Sequence, residues 1–226
     1  LNFITNFAGL SQELIQELEA ETDPDERAAL LADLATNAAT IEKHGRRADA
    51  IVRAMMAHAR GGSGTLRSVD VNALVQEYTD HALHAAVAQH ADDTVVLTLD
   101  LADDAGEAEM APQEIGRVLV NLVDNALDAV RERASGESAG YTPAVTVSTR
   151  REGATIEIRV ADNGPGLTPE ARRKVFEPFF TTKPTGEGTG LGLSLSHDIV
   201  AQGHGGSLTV ESTDGEGATF VVRLSA

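Results

Sequence analysis

The sequence contains no cysteine. That excludes disulfides, thiolate catalysis and every cysteine-ligated zinc or iron–sulfur centre. It has no run of 18 apolar residues, so nothing in it reads as a membrane-spanning helix. No basic region precedes an apolar stretch, so no secretory signal is visible. Positive charge is scarce: 18 Lys and Arg stand against 35 Asp and Glu, a net charge of -17. Polyanionic backbones and anionic lipid need neutralising cations, which disfavours nucleic-acid partners and membrane contact within this segment. A nucleotide is not excluded. Glycine-rich backbone and bound Mg²⁺ can hold phosphates with few basic side chains. Lysine is scarcest of all, confined to Lys43, Lys174 and Lys183. A lysine beside a glycine-rich segment therefore stands out. The chain opens on Leu1 in what reads as mid-helix, and the expectation is a piece of a longer protein.

The length of 226 residues suits one large domain or two small ones. Phe3, Phe7, Leu10, Leu14 and Leu18 recur at helical spacing. The stretch from Thr22 to Glu26 interrupts that helix, with Pro24 expected to stop it and the acids suited to the start of the next. In the second helix Leu31, Leu34, Ala38, Ile41, Gly45, Ala48, Val52, Met55 and Ala59 alternate by three and four, a heptad seam. An antiparallel helix pair cannot bury such seams alone, and dimerisation into a four-helix bundle is the natural solution. Residues 1–62 are thus expected as a dimerisation hairpin. Gly61 to Gly64 reads as a hinge. Residues 66–226 are expected as an α/β two-layer sandwich, giving an α+β chain overall. There Asp70 can cap a helix over Val71–Gln89, and Pro112 can open a long one reaching Arg133. Strands are expected near 94–99, 144–149, 155–160, 207–212 and 219–224. A loop should fill 162–189, with one turn around Pro169–Val175, and a helix should span 190–202.

Four short stretches of the second domain carry chemistry. Asn121, Asn125 and Asp128 lie at i, i+4 and i+7, on one face of an apolar helix. Asparagine is a poor helix former, and its carbonyl oxygen is a fitting Mg²⁺ ligand beside phosphate oxygens. A polar helix face accounts for these residues equally well. Asp162-Asn163-Gly164-Pro165-Gly166 follows a strand. Its glycines permit close approach of a flat ligand, and its carboxylate can accept from an exocyclic amine, though the segment is also a good β-turn. Phe176, Phe179 and Phe180, three of only six phenylalanines, precede Lys183. They can pin one end of a loop to the core. Gly186-Glu187-Gly188-Thr189-Gly190-Leu191-Gly192 leads into a helix whose N–H groups form an anion site. No Gly-Lys-Ser/Thr follows and no βαβ unit surrounds it, so it is neither a P-loop nor a dinucleotide fingerprint.

In this order the four stretches resemble the asparagine, first glycine, phenylalanine and second glycine boxes of the histidine-kinase ATP domain. That domain belongs to the ATPase superfamily of DNA gyrase B, Hsp90 and MutL. The resemblance runs from about Val69 to the end. It implies that ATP and Mg²⁺ bind here, with Asn125 as the metal ligand and Asn121 in the position of the catalytic polar residue. It implies that Asp162 takes the adenine amino group, with Gly164 and Gly166 shaping the base pocket. Gly188, Thr189, Gly190, Leu191 and Gly192 would wrap the phosphates, and Lys183 would assist. Asp128 departs from the pattern, because many members carry a basic residue there. Phosphate neutralisation then falls to Mg²⁺, Lys183, or an arginine such as Arg131 or Arg133.

The residues from Leu1 to Ala8 resemble the sequence just after a His-Glu-x-x-Asn-Pro phosphoacceptor motif, and Glu42–Val52 resembles the partner helix. The resemblance implies a cytoplasmic sensor kinase core, whose parent can be membrane-anchored. It implies a homodimer and a response-regulator receiver domain as partner. The fragment would lack its own phosphoacceptor and would not phosphorylate itself. The alternative is a degenerate kinase, a nucleotide-binding dimeric regulatory module, which Asp128 motivates. A gyrase- or Hsp90-like ATPase would carry an acid at Asn121 and further domains. The seven histidines are expected to be solvated or locally hydrogen-bonded rather than metal ligands.

Overall fold

A computed structural model of the chain describes residues 2–60, 64–89, 95–136, 140–183 and 188–226. The expected hinge residues Gly61, Gly62 and Ser63 lie outside that set, as do Thr94, Gly186 and Glu187. So do the side chains of Phe3, Val52, Met55 and Ala59 from the expected seams. The chain divides into two compact units: residues 1–57 with 181–189, and residues 58–180 with 190–226.

The first unit contains α1 (Asn2–Ala20) and α2 (Pro24–Arg60). Pro24 does not stop α1. It opens α2, where its missing N–H costs nothing. Asp23 is the cap, accepting from the N–H groups of Asp25 (2.8 Å) and Glu26 (3.2 Å). Arg27 closes the hairpin by donating to the Leu18 and Glu21 carbonyls at the end of α1. Among the described side chains of α2, the less exposed positions are Leu30, Leu34, Asn37, Thr40, Ile41, His44, Gly45 and Ala48. Leu34, Ile41, Gly45 and Ala48 stand on the expected seam, whereas Leu30 and Asn37 stand one residue before it. Leu31 is 54% exposed and Ala38 is exposed. Two helices share only a narrow stripe, and the sequence offers two overlapping ones. In α1 the half-buried stripe is Ile4, Phe7, Ser11, Leu14 and Leu18, whereas Leu10 and Ile15 stay exposed.

The second unit is a sheet covered on one face by helices. Its five strands are β2 (Val96–Leu101), β4 (Ala144–Glu152), β5 (Thr155–Asp162), β6 (Ser207–Thr213) and β7 (Gly217–Ser225). They are ordered β2-β4-β5-β7-β6, with β2–β4 parallel and every other pair antiparallel. A separate antiparallel pair joins β1 (Arg67–Asp70) to β3 (Glu107–Met110). The sequence reading missed both, because four-residue strands carry too few alternations to register.

On the covered face Val145, Val147, Ile156, Ile158, Val160, Phe220, Val222 and Leu224 are buried. Against them lie α3 (Val71–Gln89) and α4 (Pro112–Gly136). Asp70 caps α3 through the Ala73 N–H at 2.9 Å. Gly116 of α4 lets the Tyr78 ring of α3 occupy the space a Cβ would fill. The other face carries Arg159, paired with Glu157 and Glu211, and Arg223, paired with Glu157. Two short helices complete the unit, α5 (Pro169–Lys174) and α6 (Gly192–Asp198). The helix expected over 190–202 starts two residues later and passes into a π-helical segment, Ile199–Gly203. His204 ends that segment. Its Nδ1 donates to the Ile199 carbonyl (2.9 Å) and its Nε2 accepts from the Ala111 N–H (3.0 Å), fixing the neutral tautomer.

Candidate nucleotide site

The site is built outward from α4. Leu122, Val123, Ala126 and Leu127 are fully buried and lock the helix's rotation. That rotation leaves Asn121, Asn125 and Asp128 half-buried on one stripe. Asn121 Nδ2 donates to Ser196 Oγ of α6 at 3.1 Å. A Cβ on Gly192 would overlap Asn121 Oδ1. Gly192 is thus required by contact: only a bare Cα lets the first turn of α6 rest against Asn121. Ser196, 3% exposed, is a site residue the sequence reading missed. Its helix, Gly192–Asp198, holds a second serine, Ser194, so the sequence alone does not single Ser196 out. Asp128, which departs from the family pattern, lies 3.7 Å from Arg131.

Asp162 ends β5 and closes the pairing with β4 opposite Val145. Its Oδ1 accepts from the Gly164 N–H (2.8 Å) and the Ala218 N–H (3.3 Å). Burial pushes its carboxyl above the usual range, and the two N–H groups offset part of that rise. A half-buried anion with little cationic compensation is costly and fits an acceptor held ready for a donor ligand. Gly164 abuts α4: a Cβ there would lie 2.9 Å from Ala129 Cβ. Gly166 has φ +73° and faces the Thr213 carbonyl where a Cβ would go. Gly217 packs on the Asp162 carbonyl with φ +95°, so the start of β7 abuts the segment that carries Asp162.

Asn163 is spent on scaffolding. Its Oδ1 accepts from the Tyr141 hydroxyl (2.8 Å) and the Ala144 N–H (2.9 Å), and its Nδ2 donates to the Thr142 carbonyl. Arg133 has a similar role. Its Nη1 faces the carbonyls of Asn163, Gly164 and Gly215. Of the two arginines named as candidate phosphate partners, Arg131 lies beside Asp128 and Arg133 faces backbone carbonyls.

The three phenylalanines do not act together. Phe176 packs on Phe220 and His197, with centroids at 6.4 and 5.4 Å. Phe180 is half-buried, and Phe179 is 55% exposed. Phe179 is also the one described non-glycine residue with positive φ, at 68°. Its N–H donates to the Gly190 carbonyl at 2.8 Å, and Gly190 has φ +66°. A Cβ on Gly190 would overlap the Phe179 backbone. Gly190, Leu191 and Gly192 belong to the same unit as Asn121 and Asp162. Lys183, Gly188 and Thr189 belong to the 181–189 segment of the other unit. Within that segment the Lys183 N–H donates to Thr181 Oγ1 (3.2 Å), and Thr181 fills the space beside Gly188. Among the described residues no group of three or more His, Asp or Glu is placed to hold a metal. A site built on asparagine and phosphate oxygens needs no such group.

The arrangement offers a buried carboxylate between two glycine contacts, and an asparagine oxygen set against a helix start. Both are cradles that a Cβ would fill, and both fit a nucleotide with its metal. Residues 110–226 match the model of the histidine kinase-, DNA gyrase B-, and HSP90-like ATPase family. The sensor histidine kinase ZraS of Escherichia coli (strain K12) is 34% identical over 159 residues, 70% of this chain and 31% of that protein. The chain thus spans under a third of that curated relative. The solved catalytic domain of histidine kinase ThkA has a TM-score of 0.58 and 25% identity, covering 71% of this chain and 95% of that one. Histidine kinase ThkA in complex with response regulator protein TrrA is similar in fold across 98% of this chain and 58% of that one, at a TM-score of 0.61 and 20% identity. The chain therefore belongs to the histidine kinase-, DNA gyrase B- and HSP90-like ATPase family, as a core of the sensor histidine kinase type.

Proposed function

We propose that residues 66–226 form an ATP-binding catalytic domain and that residues 1–62 are the dimerisation hairpin of a two-component histidine kinase. The contact between Asn121 and the bare Cα of Gly192 is the observation that carries the reading. It joins the asparagine helix to the glycine-rich helix start, where phosphates and a metal need to meet. In this reading Asn125 holds Mg²⁺, Asn121 orients the reacting group, and Asp162 accepts from the adenine amine between Gly164 and Gly166. The N–H groups of Gly190, Leu191 and Gly192 would face the phosphates. Bound Mg²⁺ supplies neutralisation of phosphoryl charge. The chain's own work is positioning, as is general for phosphoryl transfer.

The parent enzyme would move the γ-phosphoryl group to a histidine and then to a response-regulator aspartate. The present chain would bind ATP without phosphorylating itself. Exposed Leu10, Ile15 and Leu31 on the hairpin support a homodimer that covers them. The likeness to a kinase solved with a response regulator supports that partner. No described helix is long and apolar enough to cross a membrane. The likeness to sensor histidine kinases supports a cytoplasmic core. Asp128 supports a second reading, a degenerate kinase that binds nucleotide only to regulate a dimer. Calorimetric titration with ATP–Mg²⁺ tests the site. Binding should weaken about tenfold or more in Asn125→Asp, which sets a second anion beside the phosphates. Absence of binding in the native chain overturns the nucleotide reading.

A further inference from the structure

Arg133 stands in the last turn of α4, one turn beyond Ala129. Its Nη1 lies 3.0 Å from the Asn163 carbonyl, 3.2 Å from the Gly164 carbonyl and 3.0 Å from the Gly215 carbonyl. Its Cζ sits 4.9 Å from the centroid of the Tyr141 ring. Tyr141 in turn holds the Asn163 side chain. The Gly215 N–H donates to the Pro165 carbonyl at 2.7 Å, which ties the β6–β7 turn to the same segment. One guanidinium on α4 thus joins two backbone stretches, the Asn163–Gly164 turn and the turn at Gly215. Each carbonyl dipole aims its negative end at the cation, and the aromatic face adds a further attraction. Gly164 is pressed on Ala129 at the same end of α4, so the turn has no slack on its helix side. The Gly164 N–H is the shorter of the two hydrogen bonds that orient the Asp162 carboxylate, so the position of Gly164 bears on its aim.

We propose that Arg133 is a positioning residue for base recognition: it holds the Asn163–Gly164 turn against α4 and thereby keeps the Asp162 carboxylate aimed at the base. This rests on the nucleotide reading above and gives Arg133 a base-side role in place of a phosphate-side one. Lysine cannot substitute fully, since a compact ammonium lacks the planar fork and the stacking face.

The test is calorimetry of Arg133→Ala and Arg133→Lys against ATP, ADP and AMP. Arg133→Ala should weaken all three by a similar factor, about tenfold, the scale of one charge-assisted hydrogen bond. The ratio of ATP to ADP affinity should stay at its native value, and Arg133→Lys should recover part of the loss. Hydrogen exchange at the Gly164 amide should speed up in Arg133→Ala without any nucleotide present. A loss that grows with phosphate number overturns the proposal and makes Arg133 a phosphate ligand. Unchanged affinity for all three nucleotides also overturns it. Should Arg133→Ala fail to fold, Tyr141→Phe removes only the hydroxyl on Asn163. It should give a smaller loss, again equal across the three, and an unequal loss overturns the proposal. A native chain that binds none of them overturns the nucleotide reading and this one together.

Discussion

Asp162→Asn should stabilise the empty protein and weaken nucleotide binding. The carboxylate accepts from Gly164 and Ala218, but burial dominates and its folded pKa lies above the ordinary 3.8. The unfolded chain keeps the ordinary value. Between the two values the folded state binds more protons than the unfolded one, so stability falls as pH rises through that window and is level above it. The ionised carboxylate is therefore a cost to the fold at neutral pH. Asparagine retains an acceptor oxygen for the Gly164 N–H and discards the charge. The expected gain is about 1 kcal/mol, typical when a functional site's cost is relieved. For a chain of this size that raises Tm by about 2–4 °C. ATP should bind about ten- to a hundredfold more weakly, as fits the loss of a hydrogen bond to a charged acceptor.

Urea denaturation of both proteins between about pH 4 and about pH 7 reads the first effect, because the advantage of the variant should grow with pH and then level off. Saturating ATP should reverse the order, since only the native chain gains the full mass-action stabilisation. A variant less stable at neutral pH, or a stability difference that ignores pH, refutes the reasoning.

Two further perturbations follow from packing. Gly192→Ala places a Cβ on Asn121 Oδ1 and must displace it from Ser196. It should cost about 1–3 kcal/mol by overpacking and abolish Mg²⁺-dependent nucleotide binding, and native-like calorimetry would refute the contact. Asn37 is 6% exposed in the hairpin, and among the described residues its Nδ2 finds no partner. Asn37→Ala should therefore stabilise the hairpin by about 1 kcal/mol, through removal of an unpaired donor and better helix propensity. A fall in Tm would mean that Nδ2 has a partner in the assembled protein.

Much of the fold was legible because its signals are local. Pro112 and Asp70 mark helix starts by chemistry that needs only the next few residues. The periodicity of α4 put Asn121, Asn125 and Asp128 on one face before any packing was known. Pro24 was misassigned because the same residue can follow one helix or open the next, and only Asp23 capping the far side decides. The heptad seam is displaced by one residue only in part: Leu30 and Leu31 compete for the same stripe, and the opposing helix favours Leu30.

The sequence by itself determined the order of the asparagine, glycine and phenylalanine stretches, the acidic balance and the helix caps. Each of these is a property of neighbours along the chain. Tertiary structure alone decided that β1 pairs with β3 and that β2 runs parallel to β4. It alone set Gly217 beneath Asp162 and brought Arg133 against the Asn163, Gly164 and Gly215 carbonyls. These depend on which surfaces meet across long stretches of chain. A glycine's empty side or an arginine's fork has no assigned partner until the layers close.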